Sequence, residues 1–78
     1  MKTYSIYIEG YCTTGQFAKA RFVGTVEADN FLDASEKACI SAYGYLQTKE
    51  YFCIVDGKAY FWGCQLFDNL LDAQKSFG

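Results

Sequence analysis

The chain has 78 residues and a formal charge of −2 at pH 7, and 51% of its residues are hydrophobic and 19% aromatic. This apolar content excludes the charge-rich composition of disordered chains, and a chain of this length forms one domain. Arg21 is the one arginine and no lysine cluster accompanies it, so the basic footprint of nucleic-acid-binding proteins is missing. We therefore predict a small acidic domain spanning residues 1–78 and do not expect nucleic acid as a partner.

The first strand is indicated by Tyr4, Ile6 and Ile8, which alternate with mostly more polar residues. A second strand is predicted over 18–28, joined to the first through the segment 10–15 in a long-looped hairpin. Its predicted core face consists of the even-numbered residues Ala18, Ala20, Phe22, Gly24, Val26 and Ala28. The glycines of the connecting segment could cradle a phosphate, but no Gly-Lys-Ser/Thr follows them, which favours a flexible loop.

A helix is predicted over 30–44. Asn30 can cap the free backbone N–H groups, and Asp33 lies in the first turn, where negative charge is favourable. Gly44 ends the helix. The predicted apolar side of this helix consists of Phe31, Ala34, Ala38 and Ala42.

A second hairpin is predicted around Asp56-Gly57, because both central positions of a type I′ turn need positive φ. This turn predicts the pairs Val55 with Lys58, Ile54 with Ala59, Cys53 with Tyr60, Phe52 with Phe61 and Tyr51 with Trp62. The predicted core face consists of Phe52, Ile54, Ala59 and Phe61. A second, shorter helix follows, with Asn69 as its cap.

An internal repeat connects the two halves. Residues 19–34, KARFVGTVEADNFLDA, recur 39 positions later at 58–73 as KAYFWGCQLFDNLLDA, with nine of sixteen positions identical. A period of half the chain predicts one supersecondary unit used twice. We therefore predict an α+β fold of two ββα units, about 1–44 and 45–78, with a four-stranded antiparallel sheet and both helices on one face.

The N-terminal residues lack the continuous apolar stretch of a signal peptide, and no segment is long enough to cross a bilayer. We therefore expect a cytoplasmic protein without a membrane partner. In that compartment cysteines remain thiols, although four cysteines in a small secreted chain would suggest two disulfides. We expect all four to be small buried hydrophobes: Cys12, Cys39, Cys53 and Cys64.

Residues for catalysis are scarce. The chain has no histidine, which removes the most frequent general base, and its cysteines are too widely spaced for a zinc motif. The acidic groups around Asp29 and Asp68 could bind a divalent cation, but neither copy has the glycine and closing glutamate of a calcium loop, and helix capping accounts for them. We therefore expect no enzymatic activity, no catalytic residue, no cofactor and no metal site.

The outer face of the second hairpin differs most from that of the first, because Tyr51, Tyr60 and Trp62 stand where the first has small or charged residues. If no helix covers them, they form an aromatic patch beside Tyr7, and such a patch on a small protein marks an interface. The predicted partner-binding residues are Tyr7, Tyr11, Arg21, Tyr51, Tyr60 and Trp62. Alternatively, the outer aromatics only shelter one another on a twisted sheet.

Several motifs resemble a group of small uncharacterised proteins from bacteriophages and mobile elements. They are Ile8-Glu9-Gly10-Tyr11 with Thr14-Gly15, Trp62-Gly63-Cys64, and the ending from Leu66-Phe67-Asp68-Asn69 through Ala73 to Ser76-Phe77-Gly78. The group has no assigned activity or functional residues, so the resemblance implies only a context. That context is a short acidic protein in the host bacterial cytosol that binds and blocks a host or defence protein, including components of CRISPR systems.

Three functions compete at this point. The first is a non-catalytic protein-binding module, a phage-type inhibitor of a host or CRISPR-like defence protein. The second is a structural homodimer, formed through the aromatic face or through a sheet edge that no proline blocks. The third is single-stranded nucleic-acid binding on the open sheet face, where aromatic side chains can stack on bases, although the acidic charge opposes it.

Overall fold

The computed structural model describes residues 1–13 and 15–77, over which the chain forms seven strands and three helices. In chain order they are β1 (Lys2–Ile8), β2 (Tyr11–Thr13), β3 (Gln16–Ala18), β4 (Arg21–Ala28), α1 (Phe31–Tyr43), α2 (Tyr45–Tyr51), β5 (Phe52–Val55), β6 (Lys58–Phe61), β7 (Cys64–Phe67) and α3 (Leu70–Ser76). Thr14 and Gly78, which belong to the resemblance motifs, lie outside the described residues.

Five strands form one antiparallel sheet in the order β4-β1-β7-β6-β5, and β2 and β3 pair separately as a small hairpin. The predicted α+β class is confirmed. The predicted four-stranded sheet of two matching ββα units is not what the chain forms, because the sheet gains a fifth strand, β7, and the chain gains a third helix, α2. The strand pair β2–β3 occupies part of the segment that was expected to be a flexible loop.

The two copies of the repeat fold differently at one matched position. In the second copy Trp62 (φ 56°) and Gly63 (φ 76°) both have left-handed backbone, and they turn the chain back between β6 and β7. In the first copy, Val23 and Gly24 hold the same place, and the chain runs on with only a register shift against β1. A β-branched valine resists left-handed backbone, so this site forms a bulge instead of a turn.

The bulge at Val23 reverses which side chains of β4 face the core. Ala28, which follows the bulge, is buried as predicted. Phe22, which precedes it, is 55% exposed, and its ring packs edge-on to Tyr7 with 5.3 Å between the ring centroids. Arg21 now pairs with the buried Ile8 and shares its face. The prediction that Phe22 belongs to the core is therefore wrong, because one extra residue shifts the alternation by one.

The core lies between α1 and the sheet. Its buried residues come from strands and from α1: Ile6, Ile8, Ala28, Ala34, Ala38, Cys39, Ala59, Phe61 and Leu66. Alanines on both the helix and the sheet allow their backbones to approach closely. Burial raises the pKa of the Cys39 thiol to about 12, with a smaller effect from the nearby Glu36 charge. Cys39 is the one fully buried cysteine, since Cys64 is half-buried and Cys12 and Cys53 are exposed.

The second hairpin largely follows its prediction. Asp56 (φ 52°) and Gly57 (φ 76°) form the turn, and the four predicted pairs from 55/58 to 52/61 are confirmed. Tyr51, however, ends α2 rather than extending the strand. Ile54 is 50% exposed instead of buried, because β5 is an edge strand and few elements cover it.

The short helix α3 packs against β7, β1 and β4. Glu9 directly follows β1, so strand alternation directs its side chain away from the face of the buried Ile8. Ser76 of α3 donates a hydrogen bond to the Glu9 carboxylate, and the buried Ala73 lies outside the core cluster beneath α1. These contacts place α3 on the face opposite α1, which differs from the predicted arrangement of both helices on one face.

Both predicted helix caps form. The Asp33 amide donates to Asn30 Oδ1 at 2.9 Å, and the Asp72 amide donates to Asn69 Oδ1 at 2.8 Å. We expect Asn30→Ala and Asn69→Ala each to lower the free energy of unfolding by about 1 kcal/mol, because each leaves a backbone donor without its partner. Urea denaturation measures this, and Asn30→Ser, which keeps an acceptor oxygen, should recover most of the loss. Unchanged midpoints would contradict the capping role.

Candidate functional site

A cavity of about 490 Å³ opens at the end of the sheet beyond α1. Its walls come from the ends of β1 and β6, from the starts of β4 and β7, from α1 and α2, and from the β2–β3 hairpin. The lining residues are Ile8, Tyr11, Gln16, Arg21, Tyr43, Gln47, Phe61, Trp62 and Cys64. Because so many elements converge there, the cavity exists only when the whole domain is folded.

Arg21 reaches the cavity because of the bulge in β4. Its guanidinium carbon lies 5.9 Å from the centre of the Tyr11 ring, within the range of a cation–π contact. No acidic residue is found among the described residues that line the cavity, so Arg21 supplies its one formal charge. Burial raises the pKa of the Tyr43 phenol, and the neighbouring Arg21 only partly opposes this shift. Tyr43 therefore keeps its proton at neutral pH.

Two aromatic stacks form the apolar walls. Tyr43 stacks on Phe61 with 4.5 Å between ring centroids and 14° between ring planes, and Phe61 is only 4% exposed. Tyr51 stacks on Trp62 at 4.0 Å and 26°. The Tyr51 ring also meets Phe61 edge-on, so the two stacks are continuous. A chain of four packed rings holds this wall in place from the core to the surface.

Trp62 is the most unusual residue of the site. It is 62% exposed, yet it adopts left-handed backbone, which is rare for a bulky residue. The stack on Tyr51 and a hydrogen bond from its amide to the Tyr51 carbonyl (3.3 Å) hold it there. Strained backbone of this kind clusters at functional sites, because the surrounding structure must maintain it.

Besides Arg21 and the Tyr43 phenol, the polar side chains that line the described part of the cavity are two amides and a thiol. Gln16 and Gln47 offer neutral amides. Burial, followed by the Glu9 charge, raises the pKa of the Cys64 thiol, so it is protonated at neutral pH and a poor nucleophile. Within residues 1–13 and 15–77, no group of three or more cysteine and acidic side chains is arranged to hold a metal ion.

The structure brings together four of the six predicted partner-binding residues. Trp62, Arg21 and Tyr11 line the cavity, and Tyr51 supports Trp62 from behind. Tyr7 packs on Phe22, on the side of the sheet away from Ile8. Tyr60 alternates with the buried Ala59 and Phe61, so it also faces away from the cavity. The six residues therefore do not form one continuous patch.

Six of the nine residues that line the cavity are not among the predicted partner-binding residues: Ile8, Gln16, Tyr43, Gln47, Phe61 and Cys64. Phe61 was correctly assigned to the core, but the sequence did not indicate that part of its ring also lines the cavity. Tyr43 lies at the last turn of α1 and Gln47 lies in α2. Only the position of α2, which no sequence signal indicated, brings Gln47 to the site.

Comparisons with known proteins give no match: no family model, curated protein or solved structure matches this chain. The site is therefore interpreted from its own chemistry. Across the part of the chain that the structure describes, no helix has the length and apolar character needed to span a membrane.

Proposed function

We propose that the protein is a non-catalytic protein-binding module whose contact surface is the cavity rim, defined as Tyr11, Arg21, Tyr51 and Trp62. The observation that supports this proposal is the exposed Trp62, held in left-handed backbone by its stack on Tyr51. Tryptophan, tyrosine and arginine are the residue types that dominate binding hot spots. A rigid aromatic beside a cavity also loses little conformational entropy when a partner covers it.

The test compares wild type with Trp62→Asn, because asparagine tolerates left-handed backbone and should preserve the turn. Wild type and Trp62→Asn are each used to capture binding partners from a bacterial lysate. Every captured partner is then purified, and its affinity for wild type and for Trp62→Asn is measured by calorimetry. We expect Trp62→Asn to weaken binding by about 30-fold or more, the loss typical of a hot spot. Its own stability should fall by no more than about 1 kcal/mol, since the lost stack is offset by relief of strain.

Tyr60→Ala is the matched control, because it removes an aromatic ring two residues before Trp62, on the face of β6 that points away from the cavity. Circular dichroism establishes that both variants are folded. Loss of binding in Trp62→Asn with retention in Tyr60→Ala supports the cavity rim. Equal binding by wild type and Trp62→Asn would contradict it, and loss only in Tyr60→Ala would restore the outer sheet face as the binding surface.

Inhibition of a host or defence protein is the biological role we propose for such binding. Its support is the sequence resemblance alone. If a captured partner has a measurable activity, saturation with wild type should reduce that activity and Trp62→Asn should not. The same comparison therefore tests the role as well as the surface.

A structural homodimer is the second candidate, favoured by the edge strand β5. Ile54 and Val55 are each about half-exposed there, and no proline blocks the edge. Light scattering over a concentration series should then detect a dimer, and Ile54→Lys should convert it to monomer. A monomer at all concentrations would contradict this candidate. Nucleic-acid binding has less support, because the aromatic residues it requires are divided between two faces.

A further inference from the structure

We infer that the cavity binds a small planar anion, meaning an aromatic or heteroaromatic ring that carries a carboxylate or a phosphate. This goes beyond the proposed function, because the ligand is a free small molecule held inside the cavity, where Tyr11, Arg21 and Trp62 of the cavity rim also contact it. Three features of the described residues support it: the size of the cavity, its single positive charge and the chemistry of its walls.

The size and composition are those of a small-molecule site. Ligand pockets enclose about 300–1,000 Å³, with mainly apolar and aromatic walls and a few polar groups that orient the ligand. This cavity has about 490 Å³, and its aromatic rings come from Tyr11, Tyr43, Phe61 and Trp62. A planar six-membered ring, or a fused pair of a six- and a five-membered ring, can contact such walls with its faces. Stacking of such rings on aromatic side chains is favourable.

The charge selects an anion. Arg21 brings a guanidinium to the cavity, and no carboxylate among the described lining residues neutralises it. A guanidinium donates two parallel hydrogen bonds to a carboxylate or phosphate, a geometry that lysine cannot offer. A cleft lined by one sign of charge also concentrates ions of the opposite sign. Arg21 is turned into the cavity by the bulge at Val23, so this charge is placed by a specific backbone feature.

Three polar side chains of the cavity walls add specificity for ring substituents. Gln16 from β3 and Gln47 from α2 supply amides that can both donate and accept hydrogen bonds. Burial raises the pKa of the Tyr43 phenol, so it stays protonated and can donate a hydrogen bond to a ligand oxygen. Heteroatoms or hydroxyl groups on the ring therefore have partners of both kinds.

Trp62 is the one tryptophan of the chain and lies at the cavity, so its fluorescence reports occupancy directly. The probes are benzoate for ring carboxylates, and phenyl phosphate and adenosine 5′-monophosphate for ring phosphates. Benzyl alcohol tests the ring without charge, and inorganic phosphate tests charge without a ring. We expect saturable quenching by at least one ring anion, with both controls binding roughly tenfold or more weakly. Which probe saturates distinguishes a carboxylate from a phosphate ligand.

Arg21→Gln removes the charge and leaves a shorter polar side chain, and Lys19→Gln makes the same charge change on a nearby exposed residue. We expect Arg21→Gln to weaken the ring anion by roughly tenfold or more and Lys19→Gln to change it by less than about twofold. Equal binding by wild type and Arg21→Gln would overturn the inference. So would the absence of saturation by any ring anion, which leaves the capture result for Trp62→Asn unaffected and so separates this failure from failure of the proposed function.

Discussion

Replacement of Phe61 by alanine is expected to lower the free energy of unfolding by about 3–5 kcal/mol, the usual cost of deleting a buried phenylalanine. Phe61 is 4% exposed, stacks on Tyr43 and meets Tyr51 edge-on at 6.3 Å. A domain of this length is stable by only about 4–12 kcal/mol, so this single change removes a large part of the total. Four alanines of the buried core lie in the same cluster as Phe61, and deletion of its ring leaves a cavity that a packed interior fills only in part.

Guanidinium denaturation followed by far-UV circular dichroism measures this loss. Phe17→Ala is the matched control, since Phe17 is 63% exposed on β3 and its removal should change the free energy of unfolding by less than about 0.5 kcal/mol. Phe61→Ala should also disrupt the cavity as a binding site, because the aromatic wall that includes Tyr43 and supports Trp62 loses its central ring. A loss below about 1 kcal/mol would mean that Phe61 does not anchor the core.

Local signals in the sequence predicted the parts of the fold that depend on neighbouring residues. The caps at Asn30 and Asn69 and the turn at Asp56-Gly57 form as predicted, because a few residues suffice to determine them. The similarity of the two repeats predicted equal folding, and this was wrong at one position. Val23 and Trp62 occupy matched positions, yet one lies in a bulge and the other in a turn, because β-branched valine resists the left-handed backbone that Trp62 adopts.

The same local difference explains why the candidate site was only partly predicted. Period-2 alternation placed Arg21 on the outer face, and the bulge moved it inward to the cavity. Trp62 was expected in a strand opposite Tyr51, and the contact between them exists, but as a stack between a turn and a helix end. Four of the six predicted residues therefore lie together at the cavity or directly behind it, while their grouping required the register of the strands.

Gly10→Ala is expected to lower the free energy of unfolding by about 1–3 kcal/mol, because the added methyl group has no space. A Cβ at this position would lie 2.3 Å from the Ala18 carbonyl oxygen and 2.9 Å from the Lys19 carbonyl carbon. Both are backbone atoms, so they cannot rotate away as a side chain would. The Gly10 amide also donates to the Phe77 carbonyl at 2.6 Å, which ties the end of α3 to the same point.

The functional consequence follows from where Gly10 lies. It connects β1 to the β2–β3 hairpin, which carries Tyr11 and Gln16 to the cavity, so relief of the clash must displace both residues. Gly24→Ala is the matched control: a Cβ there meets nothing within 4 Å, and the change should stabilise the fold by about 0.4–1 kcal/mol through the unfolded chain. Thermal denaturation should therefore shift in opposite directions for the two variants. A stabilising shift for Gly10→Ala would contradict the clash, and would remove the close backbone approach as the reason that the hairpin stays at the cavity.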